Sequence, residues 1–410
     1  MRVRGWCAGS GREFLHSEAN AWHYVRAQLS LFMNHDLSLS TMMTRRRMLA
    51  ATGGTLAWLP IAKMSAEEVK PGVNAPLSPP KPPQVPKGPY ADGVLVDGEP
   101  PLPQEGAFTF AVLPDTQFYS ESHPDTYLAQ TTWIMEQKAQ RRIAGVFHLG
   151  DITNRNSRPQ WENARRAMKV LEEGKMPYCL VTGNHDYSDG GSCKDRTTLL
   201  NEYFKAEELR KSAHWGGNYD KEPERMENNF QYMEAAGRKF LILGLEFGPR
   251  EDVIRWANEV AAAHKDREII LLSHAIIFHD DTRYNWKKFG PKQDNNPHSY
   301  AMAKATGGDV NDGEELWEKL ISKHENFILT LNGHVVHDGL GRYESKTPAG
   351  RAVPQVLVNF QMRPKGGDGW LRLIEMRRDG SAQIYDFSPT RKQRNESAQN
   401  QFALKFARVA

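Results

Sequence analysis

The 410 residues suffice for one large domain or two small ones, and a content of 39% hydrophobic and 25% charged residues is ordinary for a soluble globular chain. The net charge of +3 comes from the first 66 residues, which hold 8 Lys/Arg against 3 Asp/Glu; beyond them 45 basic residues face 47 acidic ones, a net of −2. That balance excludes a broad basic field for nucleic acid or anionic lipid, and three cysteines exclude a disulfide framework.

Residues 1–40 show no sustained periodicity, and Met42 or Met43 is the more natural start. Thr44-Arg45-Arg46-Arg47-Met48-Leu49 resembles a twin-arginine translocation motif, followed at 50–62 by small and apolar residues too few for a permanent membrane span. Read so, 41–66 is an export signal and the protein belongs in the periplasm or outside the cell; the other reading is a basic cluster before an incidental apolar run. Prolines crowd 70–104, which predicts an extended linker over 67–106 and not a packed element. The folded body is expected over 107–390, with a tail at 391–410.

Within the body, apolar runs at 108–113, 145–149, 178–181, 269–272 and 327–331 predict buried strands. Helical periodicity is expected at 126–141 (Tyr127, Trp133, Ile134 and Ala139 inward), 159–173 before Gly174, 197–204, 253–264 and 314–323 after Asn311-Asp312-Gly313. Residues 229–233 and 239–245 predict a hairpin about Gly237; 355–359, 370–376 and 382–386 predict three more strands, and 389–410 a terminal strap. Strand–helix alternation followed by strand-rich pairing predicts an α/β fold, a two-layered mixed β-sandwich flanked by helices.

Each of the five apolar runs ends in metal-binding side chains: Asp115-Thr116-Gln117, Gly150-Asp151-Ile152-Thr153-Asn154, Gly183-Asn184-His185-Asp186, His274, and Gly333-His334. Strand carboxyl ends gather along one sheet edge, where open α/β folds place their chemistry, and oxygen with imidazole donors suits divalent metals. In this order the motifs resemble the calcineurin-like metallophosphoesterases, in a bacterial, twin-arginine-exported form, whose signature runs D-x-H, GDxx[DN], GNH[DE], a lone His and GHxH. The resemblance covers about 107–390 and implies the metallo-dependent phosphatase-like fold.

The resemblance also implies two divalent ions (manganese, iron, zinc or similar) and hydrolysis of a small phosphomonoester or phosphodiester by a metal-bound hydroxide. Asp151 would bridge the ions, Asp115 and Gln117 serve the first, and Asn184, His274 and His334 the second. On an extended segment Asp115 and Gln117 share a face. By the same resemblance His185 protonates the departing oxygen or stabilises charge on the phosphoryl group, while Asp186 fixes its loop. Asn154 stands where many relatives carry an acid that orients the catalytic His; an amide can hydrogen-bond substrate or His185 but adds no charge. Arg155 is either a phosphate clamp or a solvated loop residue.

Two departures weaken the first site: Gln117 replaces the family's first His, and Val336 replaces the second His of GHxH. His337 comes one residue late and would ligate only if a bulge turned it back. His148 is expected in the core or behind the ligands; His123, His214, His264 and His324 are expected to be solvated. His279, Asp280 and Asp281 follow His274 closely enough to serve substrate or metal. The long insertion at 278–312, which carries His298, either covers the site with Arg283, Tyr284, Trp286, Lys287 and Lys288 or packs as a surface excursion. Arg363-Pro364-Lys365-Gly366-Gly367-Asp368-Gly369-Trp370 either brings backbone close to a ligand or makes a hairpin turn. Cys179 and Cys193 are read as unpaired thiols unless their loop folds back. A purple acid phosphatase fits less well, since its tyrosine ligand would fall at Asn154, and a protein phosphatase lacks its GDxxDRG extension. The competing classes are a scaffold protein on the same fold with an incomplete first metal site, and an envelope interaction module spaced by the prolines.

Overall fold

The structure, a computed structural model, describes residues 74–76, 90–91 and 93–406. The arginine motif at 44–49 and the rest of the leader lie outside the described residues. Two short strands come first, β1 (Asn74–Pro76) and β2 (Leu95–Asp97). Strands and helices then alternate through β3 (Phe108–Leu113), α1 (Gln117–Ser122), α2 (Pro124–Gln137), β4 (Ile143–His148), α3 (Arg158–Glu173) and β5 (Tyr178–Leu180). The middle holds β6 (Trp215–Asn218), the hairpin β7 (Asn229–Ala235) and β8 (Arg238–Leu245), α4 (Glu251–Ala263), β9 (Glu268–Ser273), α5 (Gly313–Lys319) and β10 (Phe327–Asn332). Last come β11 (Leu340–Lys346), β12 (Ala352–Val358), β13 (Leu371–Met376), β14 (Ser381–Ser388), β15 (Gln393–Asn395) and β16 (Gln401–Lys405).

Two mixed sheets result. One runs β1-β11-β12-β10-β9-β8-β7-β6, with β8, β9, β10 and β12 mutually parallel. The other runs β2-β15-β14-β13-β3-β4-β5, with β3, β4 and β5 parallel and β16 also paired to β14. The strands β3, β9 and β10 are buried along their whole length, as strands covered on both faces must be. Phe110, Val112, Phe147 and Leu149 meet Ile270, Leu272, Leu329 and Leu331 between the sheets. Helices α2 and α3 cover the outer face of one sheet, and α4 and α5 that of the other. Helix α3 docks through Trp161, Ala164, Met168 and Leu171, spaced three or four apart. This is the mixed β-sandwich flanked by helices that the pattern predicts.

Several elements differ from expectation. Asp115 takes a left-handed φ of 38°, which turns the chain out of β3 and straight into α1, so Gln117 opens a helix instead of extending a strand. Strand β11, with the polar sequence LGRYESK, has no apolar alternation to betray it. The expected helix at 314–323 stops at Lys319 and continues as a 3-10 turn, Ile321–Lys323. Residues 363–370 do not close a hairpin; they carry the chain from β12 in one sheet to β13 in the other. The proline stretch was expected to stay unpacked, yet its described end forms β2 on β15, and Glu99 there accepts from Trp133 Nε1 (2.9 Å) and Arg141 (2.7 Å). His214, His264 and His324 are half-buried and hydrogen-bonded instead of solvated, to the Tyr232 carbonyl, the Tyr232 hydroxyl and Asn258 respectively. Cys179 and Cys193 are buried and free.

Candidate metal centre

Every donor singled out by its motif follows the C-terminal end of a parallel strand. Asp115 follows β3, Asp151 follows β4, and Asn184 with His185 follows β5, while His274 and His334 follow β9 and β10 of the facing sheet. The centre is thus assembled from both sheets. Three donors hold left-handed backbone, with φ of 38° at Asp115, 48° at Asp151 and 73° at His334. Such strain in side-chain-bearing residues persists where the surroundings over-determine it, and it clusters at functional sites.

Ligand atoms of Asp151, His274 and His334 lie within 4.8 Å of one another, all buried. His274 Nδ1–H donates to the Leu149 carbonyl (2.6 Å), and Nε2 faces Asp151 Oδ1 at 3.3 Å and Asp115 Oδ1 at 3.9 Å. His334 Nε2–H donates to the Asn295 carbonyl (2.7 Å), which leaves Nδ1 for the centre. A backbone acceptor on one ring nitrogen is what fixes the tautomer of a metal-binding imidazole. Asp115 Oδ1 accepts from the His334 backbone N–H (2.9 Å). Asp151 presents its two oxygens to different sides: Oδ2 accepts from Gln117 Nε2 (3.0 Å), and Oδ1 accepts from the His185 N–H (2.9 Å).

The fit of these residues to metal can be tested on what they leave unmade. Asp115 Oδ2, Gln117 Oε1, Asn184 Oδ1 and His274 Nε2 are all buried without an aligned hydrogen-bond partner among the described residues. Buried polar atoms normally have partners, and here four such atoms belong to the motif residues. Burial pushes the Asp115 carboxyl well above its ordinary range, and Asp151 adds to the rise. Burial also acts on Asp151, but the His274 and His185 charges outweigh it and hold its carboxyl low. For His274 burial works downward, yet the Asp151 and Asp115 carboxylates push the imidazole up to about 9. A cavity with this electrostatic demand suits a cation. The motif glycines make room for the two carboxylates: a Cβ on Gly183 would sit 2.1 Å from Asp151 Oδ1, and one on Gly333 would sit 2.1 Å from Asp115 Oδ2.

Around this centre, His185 is half-buried and its Nδ1–H donates to the Asn154 carbonyl (2.9 Å). The Asn154 amide, open on sequence to substrate or to His185, does not reach His185: it donates to Glu121 (2.8 Å). Arg155 also reaches Glu121 through Nε (2.8 Å), with its side chain 61% exposed. Asp186 accepts from the backbone N–H of Gly183 (2.9 Å), Ile152 (3.1 Å) and Thr153 (2.8 Å), and so ties the two motif loops together. Burial and the Asp151 charge push its carboxyl up to about 6. His148 is buried, accepts from the Gly150 N–H on Nδ1 and bonds Thr116 Oγ1 through Nε2 (2.9 Å). Burial, aided by the His274 charge, pushes it down to about 3, a neutral brace behind the ligands.

The insertion reaches the site through residues that its sequence did not single out. Asn295 supplies the carbonyl for His334, and Tyr300 packs beside the His334 ring, joined there by Phe247 from the loop after β8. Arg283 is buried on Glu314 (2.8 Å) and over Trp317, so it fastens the insertion to α5 and is not a cover for substrate. Tyr284 is buried, and Lys287 and Lys288 are exposed. His337 does not join the donor set: it stacks on His279 (3.9 Å between ring centres) and meets Asp294 Oδ1 at 3.3 Å. Asp280 and Asp281 are taken up by turns, accepting from the backbone N–H of Thr282 (3.1 Å) and of Arg342 (2.7 Å). Among the described residues His298, Asp312 and Glu315 form a second cluster, in which Asp312 and Glu315 are the capping box of α5 and His298 Nε2 meets Glu315 (2.7 Å).

With two sheets, their helices and this donor set in view, the chain belongs to the calcineurin-like phosphoesterase family, whose sequence model matches residues 108–363. It is 28% identical over 311 residues to an uncharacterised protein, YvnB, of Bacillus subtilis (strain 168); the match covers 74% of this chain and 21% of that protein's length. Among solved structures it is similar to purple acid phosphatase PPD1 from yellow lupin (Lupinus luteus) seeds, at 13% identity and a TM-score of 0.41 over 75% of this chain and 55% of that one. It is also similar to GAP50, the anchor in the inner membrane complex of Plasmodium, at 11% identity and a TM-score of 0.36 over 74% of this chain and 90% of that one. Membership of the family implies a centre for two metal ions. No helix among the described residues is long and apolar enough to cross a membrane.

Proposed function

We propose that the protein is a metal-dependent hydrolase of small phosphomonoesters or phosphodiesters. The observation that carries this reading is that Asp115 Oδ2, Gln117 Oε1, Asn184 Oδ1 and His274 Nε2 are buried without an aligned hydrogen bond among the described residues, while Asp151, which faces His274 and Gln117, turns its carboxylate two ways. Divalent ions bound there would neutralise phosphoryl oxygens and lower the pKa of an attacking water. Asp115 and Gln117 would hold one ion, Asn184, His274 and His334 the other, and Asp151 both. His185, with Nδ1–H committed to the Asn154 carbonyl, keeps Nε2 for the departing oxygen and, as the imidazolium, passes it the Nε2 proton. Arg155 uses only Nε on Glu121, which leaves its terminal nitrogens for a substrate phosphate.

The test is reconstitution with manganese, iron or zinc, followed by chromogenic mono- and diesters. Asp151→Ala is expected to lose metal and activity together. His185→Ala should keep its metal and lose roughly 10²- to 10⁴-fold in turnover. Full activity in either variant overturns the assignment. Gln117 and Val336 favour a second reading, a scaffold with a half-built centre, which a metal content near zero after reconstitution would support. Export by the twin-arginine route remains our reading of 44–49; a folded reporter fused after residue 66 should leave the cytoplasm, and should stop doing so when Arg45→Lys, Arg46→Lys and Arg47→Lys are combined.

A further inference from the structure

Helix α1 holds the loop after β4 with three side chains of a single turn. Gln117 Nε2 donates to Asp151 Oδ2 (3.0 Å), Ser120 Oγ donates to the Ile152 carbonyl (2.6 Å), and Glu121 accepts from Asn154 Nδ2 (2.8 Å) and Arg155 Nε (2.8 Å). Positions i, i+3 and i+4 share one helix face, so the helix grips residues 151–155 in register. Gln160 completes the clamp: its Oε1 accepts from the backbone N–H groups of Asn154 (3.0 Å) and Arg155 (2.8 Å), and its Nε2 donates to Glu121 (3.3 Å). From this clamped turn the Asn154 carbonyl projects to His185 Nδ1 (2.9 Å). Asn154 itself brings no charge; the carboxylate behind the His185 support is that of Glu121.

We infer that Glu121 is a positioning residue for His185. Its carboxylate fixes the Asn154–Arg155 turn, whose carbonyl accepts from Nδ1–H of the protonated imidazole and aims Nε2–H at the leaving oxygen; once that proton has passed to the oxygen, the neutral Nδ1–H tautomer remains on the same acceptor. The inference rests on the proposed proton-donor role of His185. It differs from a plain surface ion pair between Glu121 and Arg155, which would contribute little and would be indifferent to the substrate's leaving group.

The experiment uses the metal-loaded full chain and two esters, p-nitrophenyl phosphate and an alkyl phosphate, whose leaving alkoxide needs a proton far more. Glu121→Ala is expected to lower kcat on the alkyl ester by about 10-fold or more. Turnover of the nitrophenyl ester should change little and bound metal should be unaltered; any change in KM from the released Arg155 should be the same for both esters. Glu121→Gln, which keeps an acceptor for Asn154 Nδ2, should recover most of the loss. Glu121→Ala combined with His185→Ala should be no slower than His185→Ala alone, because the two act as one unit. An equal loss on both esters, loss of metal, or an additive double variant overturns the inference. If His185→Ala discriminates between the esters and Glu121→Ala does not, the inference alone fails. If His185→Ala does not discriminate, the proton-donor reading falls and takes the inference with it.

Discussion

Asp115, Asp151 and His334 each hold a left-handed φ, a conformation that costs roughly 1–3 kcal/mol per side-chain-bearing residue. The strain is tolerable because each residue is also held by its neighbours, as Asp115 is by the His334 N–H. Gly333 lets that contact close, since a Cβ there would stand 2.1 Å from Asp115 Oδ2. Gly333→Ala is therefore expected to displace the Asp115 carboxylate and weaken metal binding by about 10- to 100-fold. Calorimetric titration with metal would show this, and circular dichroism should show an unchanged fold. At this scale the sequence was legible wherever a residue's type limits what it can do. Asp151, Asn184, His274 and His334 were recognisable as donors; all four are buried, and ligand atoms of Asp151, His274 and His334 lie within 4.8 Å of one another. Gln117 was placed on the wrong backbone, because a positive φ at Asp115 leaves no mark in residue identity.

Between elements, the insertion at 278–312 meets the loop after β10 through, among other contacts, the Asn295 carbonyl on His334 and Asp294 on His337. The second is pH-sensitive. The Asp294 hydrogen bond raises His337 above its ordinary 6.5; its contribution is full below that value and fades as pH rises through the raised one. Burial pushes Asp294 up, but the His337 hydrogen bond outweighs it and holds the carboxyl below 3.8, so that contribution is lost only as pH falls through the depressed value. The contact is thus strongest between the two, with His279, His334 and Asp338 as the other titratable groups nearby. Hydrogen exchange across 290–300, corrected for intrinsic rates, should show protection falling from about pH 5.5 to about pH 8.5. In His337→Ala the same segment should show no such trend; an unchanged slope would refute the contact. The main strands and helices were readable because each carries its own periodicity. Strand β11, α1 and the 363–370 crossing were not, since a polar strand, a six-residue helix and a left-handed turn have no such local signature.

Across the whole molecule, Arg372 and Asp386 form a buried bidentate pair between β13 and β14 (both contacts 2.7 Å), and Asn400 donates to the same carboxylate (2.7 Å) from the turn before β16. Arg372 Nη1 also donates to the Leu357 carbonyl of the facing sheet (3.4 Å), so one guanidinium links both sheets and the C-terminal segment. Arg372→Met alone is expected to destabilise by roughly 3–5 kcal/mol, because it leaves Asp386 buried and uncompensated. Adding Asp386→Leu should recover about half or more of that loss in denaturant unfolding. A double variant as unstable as the single would contradict this account.

Local patterning determined the mixed β-sandwich flanked by helices, and the order of polar motifs at the strand ends determined the family and the donor types, because these signals are carried within a few consecutive residues. Tertiary structure alone decided which atoms meet: Glu121 on Asn154, the Asn154 carbonyl on His185, Asn295 on His334, and His337 turned away onto His279. Those contacts depend on turn rotations and on chain segments far apart in sequence, and short-range sequence pattern encodes neither.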